Sequence, residues 1–171
     1  AVYGDGDEAA LAQAEALQAR RTAGLYDASS LGKIEVIGPG APQLVDFCNY
    51  VRMSTLEPGR ARYGFMLSES GVVHDDGVVL RLAEDRFIVS ASSSHTASVR
   101  LMLEEARQDR FDPGRVFVHD VTAHWTTLTV TGPRARELIL EAGIAQDVAA
   151  LRFMRVVETT PASLTAPPRA V

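Results

Sequence analysis

The sequence predicts an α+β fold in which an antiparallel sheet carries helices, with split β-α-β (ferredoxin-like) character. The first observation behind this prediction is residues 59–82, which show two strand patterns joined by the tight turn Ser68-Glu69-Ser70-Gly71. The second is an internal repeat of a strand, a Gly-Pro break and an amphipathic helix. It occurs around Val36-Ile37-Gly38-Pro39 and again around Val130-Thr131-Gly132-Pro133.

Periodicity and breaker residues predict the other elements. In chain order they are a helix at 7–21, an irregular connection at 25–32, a strand at 33–37, a helix from about 39 to 50, a strand at 86–91 after the hairpin, a helix at 95–107, strands at 116–119 and 125–131, and a helix at 134–142. In the second helix we expect Leu44, Val45, Phe47 and Cys48 to face inward. Residues 159–171 are rich in Pro, Ala and Thr and predict a poorly ordered tail, so we expect residues 1–158 to form the folded domain.

Composition restricts the class of protein. A chain of 171 residues is long enough for one domain with a substantial core. A net charge of −5 without any basic run indicates neither a nucleic-acid partner nor binding to an anionic membrane surface. No apolar run approaches the length of a membrane span, and no basic-then-apolar signal opens the sequence. We therefore expect a cytoplasmic protein.

Cysteine and histidine usage argues against a metal site. The single cysteine, Cys48, cannot form an internal disulfide, and the sequence has neither a CxxC nor an HExxH pattern. Cys48 lies in a helical pattern, and we expect it to be a small buried apolar residue.

The hairpin strands carry the residues of greatest chemical interest. A period of two places Tyr63 on one face of its strand and Asp76 within an apolar stripe that includes Val78 and Leu80. If Leu67 pairs with Val72, Tyr63 lies directly opposite Asp76. A carboxylate on a core-facing stripe is unfavourable unless something binds it. Asp76 is then either a strand-end residue bonded to a backbone amide, or a general base or anchor for a cationic or N–H-bearing ligand.

Four stretches of the sequence together resemble the folate-binding domain of the aminomethyltransferase (glycine-cleavage T-protein) family. The resemblance is greater to the version of this domain in the α-subunit of heterotetrameric sarcosine oxidase. The stretches are GLYDASSLGKIEVIGP (24–39), MSTLEPGRARYGFMLSESGVVHDDGVVLRL (53–82), EDRFIVSASS (84–93) and VTAHWTTLTVTGPRARELIL (121–140). They cover most of the chain in the family's order, and the predicted fold is accordingly the first half of the family's folate-binding fold.

The resemblance implies a role for several residues. Asp76 would approach the pterin-side nitrogens of tetrahydrofolate and assist proton removal during one-carbon transfer. Tyr63 would contact the folate, and Leu31 would pack on the pterin. The remaining predicted pocket residues are Ser90, Ala91 and Ser92.

The resemblance also implies a function. In a sarcosine oxidase, oxidation of an N-methyl amine gives an imine, which tetrahydrofolate captures in this domain as 5,10-methylene-tetrahydrofolate. The sequence lacks the family's second-half motifs and the dinucleotide-binding portion, so we expect about half of a folate pocket here, with flavins and NAD bound elsewhere in the full enzyme. Expected partners are other sarcosine oxidase-type subunits or a second copy of the chain. The alternatives are a non-catalytic subunit-docking scaffold and a stand-alone aminomethyltransferase, so the sequence leaves open whether the isolated chain is an enzyme.

Overall fold

The computed structural model describes residues 7–158. The helices and strands, in chain order, are α1 (Glu8–Arg21), β1 (Gly24–Asp27), β2 (Gly32–Ile37), α2 (Ala41–Cys48), β3 (Arg60–Leu67), β4 (Val73–Ala83), β5 (Arg86–Ala91), α3 (Thr96–Arg110), β6 (Phe117–Asp120), β7 (Leu128–Thr131) and α4 (Ala135–Glu141). Short 3₁₀ helices lie at Thr122–His124 and Gln146–Ala150. The predicted tail at 159–171 lies outside the described residues.

The described residues form two compact units. The larger comprises residues 29–126 and 152–158, and the smaller comprises residues 7–28 and 127–151. No helix among residues 7–158 is both long and apolar enough to cross a membrane.

The larger unit is built on a five-stranded sheet with the order β3-β4-β5-β2-β6. Every neighbouring pair of strands is antiparallel. Because β5 and β6 are both antiparallel to β2, they run parallel to each other with β2 between them, and α3 connects them. This is a split β-α-β unit on an antiparallel sheet, and the predicted mixed α+β class is confirmed.

The core of the larger unit lies between one face of the sheet and the helices α2 and α3. Its largest fully buried side chains are Phe87, Ile34, Leu44, Met53, Met66 and Leu103. Leu44, Val45 and Cys48 of α2 face this core as predicted, but Phe47 does not and is 58% exposed. At 100° per residue, Phe47 lies about 110° from the centre of the stripe formed by the buried residues of α2, so its ring packs edge-on against Phe111 at the rim.

The register of the β3–β4 hairpin differs from the predicted one. The turn at 68–71 forms as expected, with Gly71 at φ +80°, but it closes between Ser68 and Val72, whose backbone atoms bond over 2.8 Å. A bulge then follows, because Leu67 pairs with Val73 while Met66 pairs with Asp75. Together these features shift the register by two residues. Asp76 pairs with Phe65, and Tyr63 pairs with Val78.

The predicted core face of β4 was also wrong. Asp75, Val79 and Arg81 are the buried residues of β4 on the helix-covered side, whereas Asp76 is exposed on the opposite side. The apolar stripe of Val78 and Leu80 suggested a core, but neither α2 nor α3 packs on that face. The argument that burial makes Asp76 unfavourable therefore applies to Asp75 instead.

The smaller unit contains α1, a two-stranded antiparallel sheet of β1 and β7, and α4. The segment 25–32 is thus not wholly irregular, because its first residues belong to Gly24–Asp27, which pairs with Leu128–Thr131 about a hundred residues away. The strand predicted at 125–131 is shorter and begins at Leu128. The internal repeat is confirmed, since Gly38 and Gly132 adopt φ values of +116° and +108° at equivalent breaks before α2 and α4.

Candidate functional site

The face of the large sheet opposite α2 and α3 carries a row of side chains from four adjacent strands. Lys33 on β2 pairs with Ser90 on β5, Ser90 contacts Val78 on β4, and Val78 pairs with Tyr63 on β3. Adjacent strands lie about 4.8 Å apart, so the row spans roughly 14 Å. We call this surface the open face and define it by Lys33, Ser90, Val78, Tyr63 and Asp76.

The tyrosine and the second aspartate of the hairpin are hydrogen-bonded on the open face. Tyr63 Oη donates to Asp76 Oδ2 over 2.7 Å, although the two residues are diagonal and not directly opposite. This bond is the main reason that the pKa of Tyr63 is raised, followed by desolvation and by the charge of Asp76. Only Oδ2 is engaged in the bond, so Oδ1 can accept a hydrogen bond from an N–H group of a ligand lying on this face.

Ser90 supports the strand segment that carries Asp76. The ladder between β4 and β5 ends at the Val79–Val89 pair. Beyond it, the Val78 N–H donates to Ser90 Oγ over 2.7 Å, and Ser90 Oγ donates to the Val78 carbonyl over 2.9 Å. The Ser90 hydroxyl thus serves as the hydrogen-bond partner of the Val78 backbone, which lies two residues along β4 from Asp76.

Lys33 holds the loop that presents Leu31, and sequence reasoning missed this role. Lys33 is the only lysine in the sequence, yet it is buried. Its ammonium group donates to the carbonyl oxygens of Ser29 over 2.8 Å and Leu31 over 2.7 Å. A lysine at the second position of a core strand, directly after a Ser-Ser-Leu-Gly loop, is the signal that could have indicated it, since buried lysines need partners. Leu31 itself is partly exposed beside the start of β2.

Asp75 lies on the opposite, helix-covered face of the sheet, where its carboxylate is hydrogen-bonded to other residues of the protein. Its Oδ2 accepts from the Ser92 N–H over 2.9 Å, and its Oδ1 lies 3.2 Å from His95 Nδ1. Burial alone would raise the pKa of Asp75, but the hydrogen bonds from Ser92 and His95 outweigh burial and hold this pKa below its ordinary value. Two consecutive carboxylates therefore lie on opposite faces of one strand.

The predicted site residues are thus only partly brought together. Tyr63, Asp76 and Ser90 share the open face, and the loop bearing Leu31 is tied to that face through Lys33. Ala91 is buried towards the helices, and the amide of Ser92 is bonded to Asp75. The Ser92 carbonyl oxygen accepts from the His95 N–H and the Thr96 hydroxyl, so the structure does not bring Ala91 and Ser92 together with Tyr63 and Asp76.

Metal and thiol chemistry can be assessed from the arrangement of the His, Cys, Asp and Glu side chains. Among residues 7–158, no group of three or more His, Cys, Asp or Glu side chains is arranged to hold a metal ion. Cys48 is buried as expected, and burial raises its thiol pKa to about 12. Such a thiol is a poor nucleophile and a poor ligand near neutral pH.

Comparison with known proteins supports the resemblance found in the sequence. Residues 3–167 match the family model described as the GCVT N-terminal domain. The chain is 36% identical over 150 residues to the sarcosine oxidase subunit alpha of Rhizobium meliloti (strain 1021), covering 85% of this chain and 15% of that protein. It is 34% identical over 120 residues to the aminomethyltransferase of Saccharopolyspora erythraea, covering 70% of this chain and 32% of that one.

The fold has a solved counterpart. The glycine cleavage system aminomethyltransferase T from Bartonella henselae superposes with a TM-score of 0.74 at 30% identity, over 83% of this chain and 37% of that chain. The chain therefore spans about a sixth to a third of the length of the proteins to which it is similar. A family match over nearly the whole sequence, joined to the same fold, leads to one conclusion. The chain belongs to the GCVT N-terminal domain family, whose relatives include sarcosine oxidase alpha subunits and aminomethyltransferases.

Proposed function

We propose that this chain is a tetrahydrofolate-binding one-carbon-transfer module of a sarcosine oxidase α-subunit-like protein. The observation that carries the proposal is the Tyr63–Asp76 hydrogen bond on the open face, in a chain of this family. A carboxylate oxygen beside a half-buried apolar strip from Val78 to Leu80 suits a flat ring that bears N–H donors. Bound tetrahydrofolate would supply the nitrogen that captures the one-carbon unit as 5,10-methylene-tetrahydrofolate.

The chain's own residues would have distinct tasks in this module. Asp76 would accept a hydrogen bond from the ligand and take up its proton. Tyr63 would orient the carboxylate and contact the ligand, while Leu31 would provide an apolar surface for the ring. Ser90 would hold the β4 segment in position, whereas Ala91 and Ser92 are assigned to the pocket by the resemblance alone. The other assignments rest on the resemblance and on the placement of each side chain.

The test is calorimetric titration of the purified protein with 5-formyltetrahydrofolate, a stable folate. We expect one site per chain, with affinity at least tenfold weaker in Asp76→Asn and a few-fold weaker in Tyr63→Phe. Asp85→Asn is the matched control, because Asp85 is an exposed carboxylate in the turn between β4 and β5. Equal weakening by Asp85→Asn would contradict a role specific to Asp76.

A docking scaffold is the second candidate function. It is favoured by the small share of the sarcosine oxidase relatives that this chain spans, about 15% of their length. A folded protein that binds no folate at millimolar concentration would support the scaffold and reject the binding module. The names of those relatives as subunits suggest partner subunits, and the expected flavins, NAD and cytoplasmic location remain predictions.

The stand-alone aminomethyltransferase is not separated from the leading proposal by folate binding, because both use the same site. A lipoyl-bound aminomethyl substrate distinguishes them. Transfer of its one-carbon unit to tetrahydrofolate by the isolated chain would favour the aminomethyltransferase.

A further inference from the structure

A second concave surface lies within the larger unit, on the helix-covered side of the sheet. It is a cleft of about 620 Å³ between α3 and the C-terminal end of α2, and the turn of the β3–β4 hairpin closes one end of it. It is separated from the open face by the sheet itself. Neither the proposed folate chemistry nor the hairpin aspartates use it.

Large apolar side chains surround this cleft. Phe47, Tyr50 and Leu101 are 58%, 70% and 51% exposed, and the partly buried Met102 also lines the cleft. Single exposed apolar residues are common, but several around one concavity mark an interaction site. Aromatic residues are enriched at protein interfaces, and tyrosine is among the residues that most often dominate the binding energy there. Side chains this exposed favour a macromolecular partner over a small ligand, whose pocket would enclose its lining.

The charges at the cleft are predominantly negative. Glu69, Glu105 and Asp109 line it, against the single guanidinium group of Arg110. Within residues 7–158, none of these four groups takes part in an ion pair. Three unpaired carboxylates beside an apolar strip are complementary to a partner with both basic and apolar residues.

The shape of the cleft indicates which secondary structure the partner would present. The α3 residues that line the cleft recur at helical spacing and are Ser98, Leu101, Met102, Glu105, Ala106, Asp109 and Arg110. From Ser98 to Asp109 the helix rises about 16 Å, or three turns. Most of the remaining lining comes from the end of α2, the segment that follows it and the β3–β4 turn, with only Leu67 and His74 from strands. A helix laid in a groove is therefore the mode that fits.

We propose that this cleft is a docking groove for a basic amphipathic helix of a partner protein. Apolar residues of the partner helix contact Phe47, Tyr50 and Leu101. Its lysines and arginines lie over Glu105 and Asp109. The two faces of the sheet then serve different purposes, with the groove on one side and the Tyr63–Asp76 pair on the other.

The test uses a fluorescein-labelled 18-residue peptide with leucines on one helical face and lysines on both flanks. A scrambled peptide of identical composition, without an apolar face, is its control. We expect Glu105→Lys/Asp109→Lys to weaken anisotropy-detected binding at least tenfold and Leu101→Asp at least fivefold. Glu8→Lys/Glu15→Lys changes the net charge equally but on exposed positions of α1, and it should change binding less than twofold.

The proposal is overturned by any of three results. Equal weakening by the α1 variant, or equal binding of the scrambled peptide, would indicate general attraction between a basic peptide and an acidic protein. Self-association in sedimentation equilibrium that Leu101→Asp abolishes would identify a second copy as the occupant. Affinity for 5-formyltetrahydrofolate should be the same in the groove variants as in the wild-type protein, which separates the groove from the folate proposal. Circular dichroism on each variant checks folding.

Discussion

Tyr63 and Asp76 are hydrogen-bonded across two strands without being paired in the ladder. Tyr63 Oη and Asp76 Oδ2 lie 2.7 Å apart, while the ladder pairs Tyr63 with Val78 and Asp76 with Phe65. A tyrosine reaches a diagonal neighbour because its hydroxyl extends well beyond Cβ, and such neighbours lie only about 7–8 Å apart at Cα. The pair therefore depends on both residues sharing one face of the sheet, more than on exact register.

Removing the carboxylate should lower the pKa of Tyr63. Asp76→Ala abolishes the hydrogen bond and the nearby negative charge, both of which stabilise the protonated phenol. We expect the pKa of Tyr63 to return towards that of a free tyrosine, measured by NMR titration of ring-labelled protein. Asp85→Ala removes a carboxylate from the β4–β5 turn and should leave the Tyr63 titration where it is. An unchanged Tyr63 titration in Asp76→Ala would mean that the bond does not persist in solution.

The two adjacent aspartates should respond differently to the same substitution. Asp75→Asn weakens bonds to Ser92 and His95 at a side chain only 2% exposed, and we expect it to cost about 1–3 kcal/mol of unfolding free energy. Asp76→Asn should change stability by less than about 0.5 kcal/mol, because Asp76 is exposed. Urea denaturation at pH 7 measures both. A larger loss of stability in Asp76→Asn than in Asp75→Asn would contradict the assignment of faces.

The pH dependence of Asp75 follows from its depressed pKa. The folded state favours the ionised form, so this contribution is fully present above the pKa of the unfolded aspartate, 3.8, and is lost as the pH falls through the lower folded value. The stability difference between the wild-type protein and Asp75→Asn, measured by urea denaturation, should therefore narrow as the pH falls below 3.8.

The contribution of the Glu104–Arg107 ion pair of α3 to stability should depend on pH in the same direction as that of Asp75. Arg107 Nη2 and Glu104 Oε1 lie 2.6 Å apart, and hydrogen bonds from Arg107 are the main reason that the pKa of Glu104 falls to about 2. Its contribution is present above pH 4.5 and is lost between pH 4.5 and 2. Because both groups are partly exposed, we expect Glu104→Gln to remove on the order of 1 kcal/mol at pH 7 and little at pH 2. Glu105→Gln, with no such partner, is the control for the acid-unfolding curve.

Any side chain at Gly77 should destabilise the protein. A Cβ atom there would overlap the Ser90 carbonyl oxygen and lie 2.7 Å from Ser90 Oγ, so β4 and β5 would have to separate next to Asp76. We expect Gly77→Ala to cost about 1–3 kcal/mol and to weaken folate binding more than stability alone explains. Gly114→Ala, in an exposed loop, should be nearly neutral in both measurements. Retention of full folate affinity in Gly77→Ala would argue against a binding surface at this point.

Lys33 offers a test of how the Leu31 loop is held. Lys33→Met keeps the unbranched apolar stem of the side chain but removes the bonds to Ser29 and Leu31, and we expect a loss of about 1–2 kcal/mol. Amide hydrogen exchange at residues 29–32 should accelerate more than exchange in α3. Lys33→Arg retains donors and should restore part of the protection, and failure of both variants to alter exchange would contradict this role.

Much of the fold was predictable because it depends on local patterns. The helix-forming composition of α1, the 3.6-residue period in α3, and the Gly-Pro breaks before α2 and α4 indicated where most helices lie. The turn at 68–71 was recognisable from its residues alone. Strand β1 was not predictable in the same way, because four residues become a strand only through pairing with β7, and that partner is about a hundred residues distant.

For the candidate site too, local patterns were predictable from the sequence and long-range packing was not. The alternation of β3 and β4, together with the assumed pairing of Leu67 with Val72, placed Tyr63 and Asp76 on a common face. This prediction survived an error of two in the register because a shift of two preserves every face. Which face is the core depended on where α2 and α3 pack, and the apolar residues of β4 on both faces left that ambiguous. The burial of Asp75, the exposure of Asp76 and the contact of Lys33 with the Leu31 loop were decided only by tertiary packing. The sequence determines which side chains share a face of a strand. Only the tertiary packing of helices on the sheet determines which of the two faces is buried.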